Sequence, residues 1–332
     1  MKRNLITDFY SICATILLAT TAASFAQTHA YTWDATNGLR DLGTLGGDSF
    51  AYAINDSGTV VGTYIPLDKF YYHGFIWTEA TGMVDLGIPG GGHSRDETCV
   101  PVAINSQGNV VGYGRQADGQ QVAFYWTPTD GFTILSTYSC TCDSANAGYS
   151  INDFNQVTGS LRSHDPHAFI LHAFLWSPNM VEPRDLGTLA GADVSIGYGI
   201  NNRSQIAGVS GSLMFWSMHT GMRSLGLIDG SLYVQPYAIN DAGEIVGLNQ
   251  TGAMDQAFYT GRGVGLKFLK GLGGNSMSAH AINQAGAIVG YATDSLGVAH
   301  GVMWPTASSD PIIVPLGNCY GINNSERIAG WN

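Results

Sequence analysis

One phrase is written seven times along this chain, and a chain that repeats itself folds as a set of like units. The phrase is Ile-Asn, with a glycine seven residues after the Asn. Its asparagines are Asn55, Asn105, Asn152, Asn201, Asn240, Asn283 and Asn323, and its glycines Gly62, Gly112, Gly159, Gly208, Gly247, Gly290 and Gly330. Successive copies are 50, 47, 49, 39, 43 and 40 residues apart. Periods of this length belong to solenoids, propellers and repeat arrays.

Each copy has an upstream half. An aromatic segment ending in Trp reads "HAYTW" at 29, "HGFIW" at 73, "VAFYW" at 122, "HAFLW" at 172, "LMFW" at 213 and "HGVMW" at 300. The sixth copy in chain order departs from the rule, "QAFYT" at 256, with Thr260 in the tryptophan's place. A leucine-glycine phrase follows: "DLGTLGG" at 41, "DLGIPGG" at 85 and "DLGTLAG" at 185, with weaker forms elsewhere. Together with "AINDSGTVVG" at 53, these phrases resemble the HAF-repeat family of bacterial extracellular repeat proteins over nearly the whole chain after residue 28. The resemblance implies an exported repeat protein and carries over no catalytic residue.

The residues themselves point to strands. Three positions before the Asn stands Tyr52, Val102, Tyr149, Tyr198, Tyr237, His280 or Tyr320, and two before it a small residue such as Ala53 or Gly321. Large, small, Ile, Asn is a period of two, which is the period of a strand. Three positions after the Asn come Gly58, Gly108, Asn155, Ser204, Gly243, Gly286 and Glu326. Five of these tolerate positive φ, as a tight hairpin requires, and the Asn side chain suits an Asx-turn inside that loop. Pairs such as Val60-Val61 and Ile288-Val289 then begin a return strand.

Four strands in each of seven units of about 44 residues are the arithmetic of a propeller blade. The expected fold is all-β, a seven-bladed β-propeller formed by residues 27–332, with an open β-solenoid as the alternative. In the propeller the Ile-Asn strand lies toward the centre, the recurrent glycine relieves crowding where blades converge, and the tryptophans wedge between blades.

Lys2 and Arg3, the apolar run Ile12 to Ala23 and the small-x-small Ser24-Phe25-Ala26 have the three-part form of a secretory signal peptide over residues 1–26. That run is too short to span a bilayer, which takes about 20 residues, so secretion to the medium or periplasm is expected, without membrane insertion after cleavage. The formal net charge of −11 disfavours nucleic acid as a partner.

Cys99, Cys140, Cys142 and Cys319 remain after the signal segment, an even number that suits disulfide bonding in an oxidising compartment. Cys99 bridged to Cys140 or Cys142 is the expected pairing. No zinc-ligand spacing, complete calcium loop, phosphate-binding glycine motif or nucleophile elbow occurs, so neither metal nor cofactor is expected.

Function should lie where the repeats differ. The loops "GGGHSRDETC" at 90 and "SCTCDSANA" at 139 occupy the same slot in neighbouring repeats. Their His93, Arg95, Asp96, Glu97 and Asp143 are the candidate ligand-binding residues, and "RSHDPH" at 162 is a third unusual segment. His29, His73, His172 and His300 share one repeat position and are expected to be structural. Two functions follow: an exported non-enzymatic binding module for a glycan or another exported protein, or a secreted carbohydrate-active enzyme with His93 and Asp96 or Glu97 as acid and base.

Overall fold

The structure is a computed structural model that describes residues 27–67, 71–91, 97–135, 146–162, 170–226, 230–261 and 264–332. The segment read as a signal peptide lies outside the described residues. Every regular element described is a β-strand, 28 in all, and no helix occurs among the described residues. The strands come in antiparallel runs of four. The first complete run is Ser49–Ile54, Val60–Tyr64, His73–Thr78 and Gly82–Gly87, hydrogen-bonded in that order. Three further four-stranded sheets repeat the pattern, and two more runs join into one eight-stranded sheet through a single parallel pairing, Asp255 with Ser276.

The last sheet is composite. Asn318–Ile322 and Ile328–Trp331 from the end of the chain pair with Ala30–Asp34 and Gly38–Asp41 from its beginning. The Ile-Asn strand is the first strand of every run, and each such strand contacts the corresponding strands before and after it, the last contacting the first. The apolar residues fill the spaces between neighbouring sheets: Ala51, Ile54, Val60, Phe75 and Trp77 pack with Ala30 and Ala329 of the composite sheet. Phe75, Phe124, Phe174 and Phe258, all buried, occupy the same place two residues before the Trp or its Thr260 replacement. Each contributes about 1.5–3 kcal/mol by leaving water.

Tryptophan does pack between neighbouring sheets. The guanidinium of Arg40 lies 4.9 Å from the ring centroid of Trp77 in the next sheet, and that of Arg184 lies 5.7 Å from Trp216. The Trp304 indole N–H donates to the Lys270 carbonyl at 2.8 Å. Of the recurrent histidines, His29 and His172 meet Asp41 and Asp185 at 2.8 and 2.7 Å, and His73 Nδ1 lies 3.5 Å from Asp85. These partners are the aspartates of the "DLG" phrase, and each also accepts the amide N–H of the glycine two residues on. For Asp85, burial pushes the carboxyl upward, but the donors His73, Gly87 and Tyr64 outweigh it and hold the group below the usual carboxylate range.

The recurrent glycine has a different cause from the one expected. Where Ala51 pairs with Gly62 and Ala53 with Val61, Tyr52 is left over, a β-bulge in the first strand. The same shift recurs opposite every one of the other six glycines. A Cβ on Gly62 would stand 1.9 Å from the Phe50 carbonyl oxygen, and on Gly159, 1.9 Å from that of Ala147. The bulge within each sheet, rather than crowding between sheets, excludes a side chain.

The expected disulfide is corrected as well. Cys99 and Cys319 are free, buried thiols. Each sulfur fills space left by a glycine of an adjacent sheet: a Cβ on Gly74 would lie 2.7 Å from the Cys99 Sγ, and one on Gly301 2.9 Å from that of Cys319. Burial pushes both thiols well above their usual range. Cys140 and Cys142 lie outside the described residues.

Candidate functional site

The seven Ile-Asn hairpins meet in a ring. Each Asn is buried, and its side chain does two jobs. The Asn55 carbonyl oxygen accepts the Thr59 amide at 3.0 Å, holding its own turn, while its Nδ2 donates to the main-chain oxygen of Asn105 at 2.9 Å. Asn105 reaches Asn152 in the same way, Asn152 reaches Asn201, Asn201 reaches Asn240, Asn240 reaches Asn283 and Asn283 reaches Asn323. Asn323 returns to the Asn55 oxygen at 3.1 Å, 268 residues away in the chain. The Asx-turn was legible in the sequence; the link to the next unit was missed, because one acceptor and one donor on the same amide face different strands.

The residue after each Asn builds a second tier. Asp153 accepts the Ser106 amide, Asn202 that of Asp153, and Asp241 that of Asn202. Gln284, Asn324 and Asp56 continue the series. These groups line a small polar cavity of about 170 Å³ at this end of the inner strands. Their oxygens are spent on neighbouring repeats, so the tier is a clasp rather than a ligand set.

At the other end lies a larger cavity of about 410 Å³, lined by Tyr52, Val100, Val102, Tyr113, Tyr149, Tyr198, Tyr237, His280 and Tyr320. Seven of these are the bulge residues, one from each repeat. The bulge therefore has a positional effect: the unpaired residue turns its side chain to the centre, as bulges next to functional sites do. The rings brace one another, with Tyr52 edge-on to Tyr320 at 5.6 Å, Tyr149 tilted against Tyr198 at 5.2 Å and His280 stacked on Tyr320 at 4.5 Å. Sequence reading explained these tyrosines as one face of a strand; the bulge that aims them is a feature of pairing and leaves its trace only in the distant glycine.

The wall is electrically neutral. Burial pushes the Tyr52 and Tyr237 hydroxyls up to about 12, and raises Tyr198, Tyr149 and Tyr320 as well. Burial lowers His280 to about 4, against a hydrogen bond to the Cys319 carbonyl that favours the charged form. That bond, 2.8 Å from Nδ1 to a carbonyl that can only accept, places the proton on Nδ1. The cavity offers aromatic faces and hydroxyls to a guest, and no formal charge.

Of the residues singled out from the sequence, His93, Arg95, Asp96 and Asp143 lie outside the described residues, as does 163–167 of the "RSHDPH" segment. Glu97 is described, buried just before the strand Thr98–Ile104, with no hydrogen bond to its Oε1 among the described residues.

No family model matches the chain, and no curated protein matches it. Solved structures do. A structure assigned to TolB of Agrobacterium tumefaciens is similar with a TM-score of 0.52 at 9% identity, covering 92% of this chain and 98% of that one. The β-propeller domain of the Trilobed protease from Pyrococcus furiosus, described as having an open velcro topology, gives 0.54 at 10% identity, covering 85% and 88%. A prolyl endopeptidase gives 0.61 at 11% identity over 87% of this chain, which spans only 47% of that longer protein. Likeness at such identities concerns the fold, an all-β arrangement of the β-propeller kind.

Proposed function

We propose that this chain is an exported, seven-bladed β-propeller that acts as a non-enzymatic binding module and takes its ligand at the tyrosine ring. The composite sheet and the Asn323-to-Asn55 hydrogen bond support a closed ring of seven blades over an open solenoid. The signal-like residues 1–26 and the likeness to HAF repeats support export.

The observation that carries the binding reading is the convergence of one bulge side chain from every repeat on a single neutral cavity. A fold needs bulky bulge residues there for no structural reason, since Val102 serves in one repeat. Tyrosine faces stack on the apolar faces of sugar rings while their hydroxyls accept and donate, so a neutral glycan end is the ligand class that fits.

The test is retention on a panel of neutral oligosaccharides, with Tyr198→Ala and Tyr237→Ala alongside the unaltered protein. Retention without new reducing ends, lost in both variants, is expected. Retention that survives both variants removes the tyrosine ring as the site; released reducing ends replace the binding reading with an enzymatic one.

A further inference from the structure

Six repeats seat a tryptophan at the end of the aromatic strand, and each pairs with the first β-branched residue of the strand beside it, as Trp77 does with Val60 and Trp216 with Ile206. In the one remaining repeat the same seat, opposite Ile245, holds Thr260. Arginines of the preceding sheet cover the tryptophans at two such seats, Arg40 over Trp77 and Arg184 over Trp216. Arg223 is the third arginine of this kind, in the outer strand Gly221–Gly226 of the sheet before Thr260. It finds no indole and instead lies 4.7 Å from the ring centroid of Phe215 within its own sheet.

The missing ring leaves space. A cavity of about 280 Å³ opens at this seat, floored by Phe215 and Ile245, both buried, and edged by Arg223, His219, Gln205 and Thr260. We propose that this vacant tryptophan seat is a binding site for a small planar aromatic molecule of indole size, separate from the tyrosine ring. The guest lies where the other repeats carry indole, on the Ile245 floor, with the Arg223 guanidinium over its face in place of the Arg40 and Arg184 contacts. The attraction is the same in kind: apolar area removed from water, and a cation over an aromatic face. Gln205 and Thr220 add polar groups to the wall, so the site also accepts a guest with a polar substituent.

Binding of 5-fluoroindole, followed by fluorine NMR on the full chain, tests this. Saturable binding with a dissociation constant on the order of 1 mM is expected for so small a ligand. Thr260→Trp, which restores the rule of the other repeats, should weaken it at least about tenfold, while Thr260→Val, close in size to threonine, should leave it within about twofold. Arg223→Leu should weaken it severalfold, and it keeps the test decisive should the tryptophan variant misfold. Absence of saturable binding to the unaltered protein, or equal affinity in Thr260→Trp or Arg223→Leu, overturns the proposal. Tyr198→Ala should leave fluoroindole binding unchanged; its loss there would put the guest at the tyrosine ring and overturn the proposal equally.

Discussion

His280 stands where five of the other six repeats carry tyrosine, and replacing it with tyrosine should remove a defined part of the protein's sensitivity to acid. The imidazole faces Tyr237 at 5.4 Å, Tyr291 at 5.7 Å and Tyr320 at 4.5 Å, and burial raises the Tyr237 and Tyr320 hydroxyls further above the acid range. Burial lowers the imidazole's pKa from 6.5 to about 4. Between those values the unfolded chain binds a proton that the folded chain refuses, so stability rises with pH. The contribution is complete above about pH 6.5 and is lost as pH falls toward 4. At about 1.36 kcal/mol for each tenfold change in proton affinity, the full loss approaches ~3 kcal/mol, and about 2 kcal/mol of it has occurred by pH 5. His280 is only half-buried by surface area, so solvent screens part of this and ~1–2 kcal/mol at pH 5 is the expected loss. Urea unfolding followed by tryptophan fluorescence, at pH 7.5, 6, 5.5 and 5, measures it as the difference between His280→Tyr and the unaltered protein. The two stability curves should separate steadily as the pH drops. Curves that stay parallel from 7.5 to 5 would refute a buried neutral imidazole here.

Three further expectations concern the repeat itself. Glu326 holds φ of +59° at the turn position where four repeats use glycine, so Glu326→Gly should raise stability by up to about 1 kcal/mol, read as a shift in the urea midpoint. Asn283→Asp keeps the acceptor for its own turn but removes the donor to the Asn323 oxygen at 3.2 Å; it should cost about 1–3 kcal/mol, and an unchanged midpoint would deny the inter-repeat bond any energetic weight. In Gly159→Ala the new carbon would lie 1.9 Å from the Ala147 carbonyl oxygen, so the variant should lose more than ~3 kcal/mol or fail to fold, whereas Gly265→Ala, with open space around it, should be tolerated.

Much of the architecture was readable in advance because strand periodicity, turn chemistry and repeat length are local properties. Val60-Val61 and its counterparts, the left-handed turn position and the Asn inside it, and the strand ending in tryptophan all declare themselves within about ten residues. Even there the local grammar was incomplete: Ser204 and Glu326 take φ of +55° and +59° although neither type favours it, because the Asn ring around them holds the turn. The free Cys99 and Cys319 mark a second limit, since counting thiols says nothing of the glycines whose missing side chains their sulfurs replace.

The order of strands within each repeat, and the repetition itself, were properties of the chain's text alone. What no stretch of it could express was relation across distance: that Gly62 answers a bulge at Tyr52, that seven such bulges point one tyrosine, valine or histidine each at a shared cavity, and that Asn323 meets Asn55. Hydrogen-bond register and the packing of one sheet on another are set by partners far away in sequence, and only the folded chain brings those partners within reach.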